Sequence, residues 1–357
     1  MRALLSLAAI SLVANLATAQ TTTVQLQASL DNTLYEDAAG LLSNGLGQYL
    51  FVGVNSTAAK RRALLAFDVV AVVPPKSRIV DVQLHLMASQ SNAVAPTVAT
   101  LHRATAAWGE GPSVAGGGEG GGGTALPGDA TWLHAVAPGA LWTLPGGDFD
   151  PVPSSTTSMP VTGPFVFERT EELIADVQRW IDGSLANHGW IVKTAETATD
   201  AARRLDSRDN TSMLGVRPRL TITYLPPGNV ESFGAGCVTS GNVPFTQTIN
   251  SPVQQGQNAI LSTSSGVPIG LFVTVMSYDV RPYPHEHAPG CFVWLRQLDY
   301  PLLMIRTQDI TGVSTDSFPI PFEPGLFGMP IAFQSILVDW ASPRQWALSN
   351  ANLICIR

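Results

Sequence analysis

The chain has 357 residues, a length suited to two domains, yet only 13% of them are charged, while 32 glycines and 26 prolines punctuate it. A formal net charge of −7 argues against the broad cationic surface that general nucleic-acid binding requires. Sparse charge with plentiful turn formers points to short strands joined by tight turns, and away from helical bundles.

Residues 1–20 read MRALLSLAAISLVANLATAQ. Arg2 supplies a positive start, Leu4 to Leu16 an apolar stretch, and Ala17-Thr18-Ala19 a small-x-small cleavage signal. This is the pattern of a secretory signal peptide over residues 1–19, so export to the periplasm, the cell surface or the medium is expected. No later run is long and apolar enough to span a bilayer.

From Thr23 the pattern alternates, with Val24, Leu26 and Ala28 on one face. Asp31-Asn32 marks a turn, and Tyr49 to Val54 is the next β-rich run. In RALLAFDVV, Ala63, Leu65 and Phe67 face one way, and Arg62, Leu64 and Asp68 the other. After the break at Pro74-Pro75, Ile79, Asp81, Gln83 and His85 oppose Val80, Val82, Leu84 and Leu86. Val98 to Arg103 adds a strand, and strands at this spacing predict a β-sandwich.

Gly116 to Gly123 holds seven glycines and one glutamate, too little apolar surface to order itself, and is expected to be a flexible surface excursion. It lacks the flanking strand, helix and Lys-Ser/Thr of a phosphate-binding loop. Pro145 to Pro164 is a second long loop. One amphipathic helix follows. Thr170 is its N-cap, Glu171 and Glu172 sit in its first turn, Gly183 ends it, and Leu173, Ile174, Val177, Trp180 and Ile181 share a face. Trp190 and Ile191 open a strand, and Arg219 to Tyr224 closes the domain.

The segments RALLAFDVV, VPPKSRIVDVQLHL, LHRATAAWGEGPS, GDATWLH, PGGDFD, DVQRWIDGSLANHGWIVKT and RPRLTITY occur in the order seen in the DNRLRE family. Residues 24–224 resemble that family of secreted, carbohydrate-binding-module-like sandwiches, some attached to polysaccharide lyases and hydrolases. The resemblance implies a jelly-roll-like sandwich over residues 20–225, with the helix as a lid, and a polysaccharide ligand. The glycine-rich insertion departs from the family's spacing.

Basic residues cluster despite the acidic total. Lys60, Arg61 and Arg62 form one group, Arg203, Arg204 and Arg208 another, with Lys193 between them. Guanidinium groups pair bidentately with carboxylates, so a groove gathering these side chains suits a uronate-containing polymer. The plainer reading is surface charge balancing Asp206 and Asp209, or protection of a strand edge. Trp132 and Trp142 flank irregular segments where an exposed indole would stack on a pyranose; Trp180 and Trp190 read as core, and Trp108 is open to either.

Catalysis finds little support. Glu110, Glu168, Glu196 and Asp200 are carboxylates without a pairing motif, and GxSxG, HExxH and CxxC are absent. His188 or Tyr224 beside Arg208 is the only combination that suggests an eliminative lyase. No catalytic residue and no cofactor are assigned. Asp31, Glu36 and Asp37 offer hard oxygen ligands for a structural Ca²⁺, against the plainer reading of a solvated turn.

Residues 226–231 read as a linker to a second β-sandwich over 232–357, with strand-like runs at Leu271–Met276, Cys291–Leu295, Leu302–Ile305, Ile331–Val338 and Leu353–Ile356. SFGAGC, FQSILVDW and ALSNANLICI resemble an uncharacterised C-terminal β domain of exported planctomycete-type bacterial proteins. Cys237 with Cys291 is the preferred disulfide, and pairings that involve Cys355 remain open. His285-Glu286-His287 is either a partial zinc set or an exposed loop. Two functions compete: a non-catalytic exported protein that binds an acidic polysaccharide, and a structural or adhesive surface protein without a sugar site. A polysaccharide lyase or hydrolase is third. No pattern in the chain encodes an oligomeric state.

Overall fold

The computed structural model describes residues 21–197, 199, 201–212, 216–250, 253–278, 280–296 and 302–357. The segment expected to be a signal peptide, residues 1–19, and Asp200 lie outside the described residues. The rest divides into two compact units, Thr21–Pro226 and Pro227–Arg357, both mainly β.

In the first unit the early strands are Thr22–Gln27 (β1), Leu30–Tyr35 (β2), Leu42–Ser43 (β3), Tyr49–Val54 (β4) and Lys60–Ala66 (β5). Arg78–Ser91 (β6), Thr97–Arg103 (β7), Gly123–Thr124 (β8), His134–Val136 (β9) and Ala140–Leu141 (β10) follow. Ser155–Met159 (β11) and Gly163–Phe167 (β12) precede the helix Glu171–Ile181 (α1), and Trp190–Thr194 (β13), Arg203–Asp206 (β14) and Arg219–Leu225 (β15) complete the unit.

Its strands pair antiparallel in the order β1-β15-β6-β14-β4-β5-β13-β7-β11, with β12 also on β6 and β2 on β5. The turning point is β4. Its Tyr49–Val52 segment pairs with β14, and its Gly53–Val54 segment with β5. Gly53 adopts φ 106°, a conformation side chains disfavour, and a Cβ there would approach the Ala201 carbonyl oxygen to 3.0 Å. The curled sheet encloses Leu50, Val52, Leu65, Val82, Leu84, Leu220 and Ile222. Alternation in β6 holds from Val82 onward, but Ile79 points inward where Val80 was expected. The register shifts opposite this point, between Thr223 and Tyr224, and a bulge reverses the facing of every residue before it.

The helix buries Leu173, Ile174, Val177, Trp180 and Ile181 in this core, as its periodicity predicts. The Thr170 hydroxyl accepts from the Leu173 N–H at 3.0 Å. Asp176 is buried as well. It accepts from Trp190 Nε1 at 3.1 Å and pairs with Arg103 at 3.0 Å, which fixes the helix against the strands beneath it.

The long excursion after β7 is a third layer. Trp108, Trp132 and Trp142 pack with Leu34, Leu64 and Ile191 into a cluster of their own on the outer face of β5 and β13. Leu64 and Leu65 are therefore both fully buried, one on each face. The glycine-rich segment is ordered too, against expectation, and ends in β8 paired with β3. Glu119 explains this. Its carboxylate, buried, accepts from Asn44 Nδ2 at 2.9 Å, Tyr49 N at 3.0 Å and Gln48 N at 3.2 Å, and its carbonyl accepts from the Tyr35 hydroxyl at 3.0 Å. Hydrogen bonds to one charged group replace the missing apolar surface.

The second unit contains Val230–Phe233 (β16), Thr246–Ile249 (β17), Asn258–Ser264 (β18), Leu271–Ser277 (β19) and Val280–Ala288 (β20). Cys291–Leu295 (β21), Leu302–Thr307 (β22), Val313–Pro319 (β23), Pro330–Val338 (β24) and Trp346–Cys355 (β25) follow. A five-stranded sheet, β16-β25-β24-β19-β22, and a three-stranded sheet, β17-β18-β23, share a core of Leu261, Phe318, Phe333 and Ile354. Val230 and Glu231 already pair with β25, so the linker expected over 226–231 is shorter than its composition suggests. Cys237 and Cys291 form the expected disulfide, packed with Phe272 and Leu337, and Cys355 is buried in β25. Among the described residues no helix is long and apolar enough to cross a membrane.

Candidate functional site

A pocket of about 250 Å³ opens where β14, β4 and β5 run side by side. Arg204 of β14 is paired in register with Phe51 of β4, and Arg61 of β5 with Gly53 of β4; Arg204, Phe51 and Arg61 all line the pocket. Asn55, Ser56, Gln90, Ser91 and Asn92 supply neutral polar groups. Gly118 and Gly120 of the glycine-rich segment close one side. A Cβ at Gly120 would meet the Phe51 ring at 3.4 Å, and one at Gly118 would meet nothing within 4 Å, so the absent side chains keep the pocket open.

Both arginines are held in place without a carboxylate. Arg61, 4% exposed, donates from Nη1 to the Lys60 carbonyl at 2.8 Å and from Nε to the Gly120 carbonyl at 3.4 Å, with its Cζ 4.9 Å from the Tyr35 ring centre. Burial lowers its pKa from the ordinary arginine value. Arg204 lies 3.8 Å over the Tyr49 ring and donates from Nε to Ser89 Oγ at 3.1 Å. Among the described residues neither guanidinium has an acidic partner within salt-bridge distance, and the pocket lining contains no Asp or Glu.

The other expected ligand-binding residues are elsewhere. Arg203, fully buried, donates to the carbonyls of Pro160, Ala201 and Ala95 at 3.1, 2.6 and 2.6 Å and is a structural bolt. Arg62 forks onto Glu196 at 2.7 and 2.9 Å, and Arg208 onto Glu110 at 2.7 and 2.8 Å; both forks are occupied. Lys60 pairs with Glu36 at 3.1 Å, and Lys193 lies over the Phe149 ring at 4.9 Å with its pKa lowered by burial. Trp132 and Trp142 are 6% and 5% exposed, so neither offers an indole face to a sugar; Trp142 Nε1 donates to the Thr131 carbonyl at 2.8 Å. They are core of the third layer.

The catalytic combinations do not assemble. Glu110 and Glu196 are in the forks just described, and Glu168 accepts from Gln83 Nε2 at 3.0 Å. Tyr224 is buried in the main core. Nor do Asp31, Glu36 and Asp37 form a set: Glu36 is with Lys60, and Asp37 accepts from the Leu41 N–H at 2.8 Å. The His285 and His287 rings lie 6.2 Å apart, and Glu286 accepts from the Gly290 N–H; among the described residues no group of three metal-ligating side chains includes them, so the zinc alternative gains no support.

Sequence reasoning missed Phe51, Asn55, Ser56, Gln90, Ser91 and Asn92 as pocket residues, because only the fold brings these strand and strand-end positions near the arginines. Gln90 and Asn92 carry a usable signal. Gln90 continues the alternation of β6 into a polar side chain and Asn92 follows directly after the strand's end, as happens when a strand leaves the core.

No protein-family model matches the sequence, and no curated protein matches it. Among solved structures, the N-terminal tandem of family 22 carbohydrate-binding modules from Paenibacillus barcinonensis aligns over 83% of this chain and 87% of that chain, at 10% identity and a TM-score of 0.18. At that score the alignment supports neither a shared fold nor a shared ligand.

Proposed function

We propose that the first unit is a non-catalytic module of an exported, DNRLRE-type protein, and that it binds an acidic polysaccharide at the pocket between β14, β4 and β5. The observation that carries the reading is the pair of guanidinium groups, Arg61 and Arg204, lining one pocket with no carboxylate in it. A carboxylate on the ligand supplies what the protein withholds, and charge-assisted hydrogen bonds to it are shorter and about twice as strong as neutral ones. The asparagine, glutamine and serine side chains around the arginines match sugar hydroxyls. The Tyr49 ring beneath Arg204 holds that guanidinium in plane before any ligand arrives, so less side-chain freedom is lost on binding.

Calorimetry with a polyuronate and with an uncharged glucan of similar length tests this. The polyuronate is expected to bind and the glucan not, and Arg61→Ala with Arg204→Ala is expected to lower affinity at least about 100-fold, since a hydrogen bond to a charged group contributes about 1.5–3 kcal/mol. Equal retention of both polymers, or an unchanged affinity in the double variant, overturns the reading.

A further inference from the structure

Three carboxylates from distant parts of the first unit converge: Asp31 in β2, Glu110 in the segment after β7, and Asp209 in the turn after β14. One oxygen from each lies within 4.8 Å of the others. Acidic groups at a surface meet in this way without consequence, but Asp31 is fully buried. Its Oδ2 accepts from the Arg208 N–H at 2.7 Å, whereas its Oδ1 is buried with no hydrogen-bond partner, and Asp209 Oδ2 is likewise buried without one. A buried carboxylate oxygen left without a donor is costly unless a cation faces it.

The charge balance points the same way. Arg208 is the guanidinium within the group, and its fork is spent on Glu110, with Asp209 Oδ2 at a looser 3.5 Å from Nε. Three carboxylates against one guanidinium leave a negative excess, greatest at Asp31 Oδ1, which has no donor, and only loosely offset at Asp209 Oδ2. All the donor atoms are oxygens, with no imidazole or thiolate in the group, which selects a hard cation over zinc or copper. Calcium suits it better than magnesium, which keeps its waters and demands near-octahedral geometry.

We infer that Asp31, Glu110 and Asp209 form a Ca²⁺ site that ties the start of β2 to the segments after β7 and β14. It differs from the Asp31, Glu36 and Asp37 set that the sequence offered as the alternative to a solvated turn, and shares only Asp31 with it. The rival is a proton: burial above all, with repulsion from Glu110 and Asp209 added, raises the Asp31 carboxyl well above the ordinary aspartate range.

Titration of the EDTA-stripped full chain with Ca²⁺ at neutral pH separates the two. The expected result is one site per chain by calorimetry and a rise in Tm of about 5–10 °C when free Ca²⁺ is about a hundredfold above Kd. Asp209→Asn, at one of the two half-buried positions of the set, is expected to fold and to weaken Ca²⁺ binding at least about tenfold. Asp31→Asn is expected to abolish the Ca²⁺-dependent rise. No binding heat and an unchanged Tm overturn the site and leave the protonated aspartate. So does Ca²⁺ binding of equal strength in wild type and Asp209→Asn, each checked as folded by its circular dichroism spectrum. Tighter binding of Mg²⁺ overturns the assignment to calcium.

Discussion

Two regions of the first unit carry the same ingredients, arginines beside aromatic rings, and use them differently. On the outer face of β5, Arg62 lies 4.9 Å over Trp132, its fork closed by Glu196 under the third layer. One residue earlier on the same strand, Arg61 lies over Tyr35 with no carboxylate at hand and lines an open pocket. The pair in β14 repeats the lesson: Arg203 is satisfied by three carbonyls, and Arg204 lines the pocket. Alternation along a strand sends neighbours to opposite faces, so a run of basic residues is two populations. What separates the two kinds of arginine is how fully the fold satisfies them: Arg62 has a carboxylate and Arg203 three carbonyls, whereas Arg61 and Arg204 keep a few neutral acceptors and no carboxylate.

The largest expected effect breaks the closed region. Glu196→Ala strands the Arg62 guanidinium, whose side chain is 11% exposed, and is expected to cost about 3–5 kcal/mol in denaturant unfolding while leaving polyuronate affinity nearly unchanged. A strong loss of affinity in the folded variant would erase the distinction drawn between the two regions. Glu119→Ala acts on the open region. Loss of a carboxylate that accepts three donors is expected to cost about 2–3 kcal/mol and also to weaken binding, because Gly118 and Gly120 lose their anchor. Destabilisation with intact binding would show that the glycine-rich segment does not shape the pocket.

The smallest effect is one of pH. Burial lowers the pKa of His102, with Lys193 and Arg62 lowering it further, against the Asp150 carbonyl and carboxylate, which raise it. The native state therefore favours the neutral ring. This contribution is complete above the unfolded histidine pKa, near 6.5, and is lost as pH falls from there toward the folded value. His85 and His188 are lowered as well, also by burial. Stability of the first unit, followed by denaturant unfolding, is expected to decline modestly as pH falls below about 6.5, and His102→Gln to flatten part of that slope. A slope unaffected by the substitution would move the effect to the other histidines.

Much of the fold was legible because it rests on local periodicity. The helix face from Leu173 to Ile181, its Thr170 cap and the alternation from Val82 onward are patterns that any solvent-facing helix or strand must show. The third layer was not read from the sequence, although Leu64 and Leu65 side by side carry its signal: a strand apolar on both faces is covered on both. The pocket was half legible. Arg61 and Arg204 stood out as cations, but so did Arg62, Arg203 and Arg208, and the partners of Arg62 and Arg208, Glu196 and Glu110, are separated from them by 134 and 98 positions.

Composition and periodicity by themselves determined a mainly β protein with one amphipathic helix and a Cys237–Cys291 pairing as the preferred bridge. The first two follow from short-range sterics and from which face of each element must leave water, and the bridge from the expectation that an exported chain oxidises its cysteines. Only the tertiary structure decided which charges are spent. Glu119 orders a run of glycines, Glu196 and Glu110 close two guanidinium forks, and Arg61 and Arg204 line a pocket that holds no carboxylate. Electrostatic pairing is decided by distance in space and by burial, and neither is a local property of the chain.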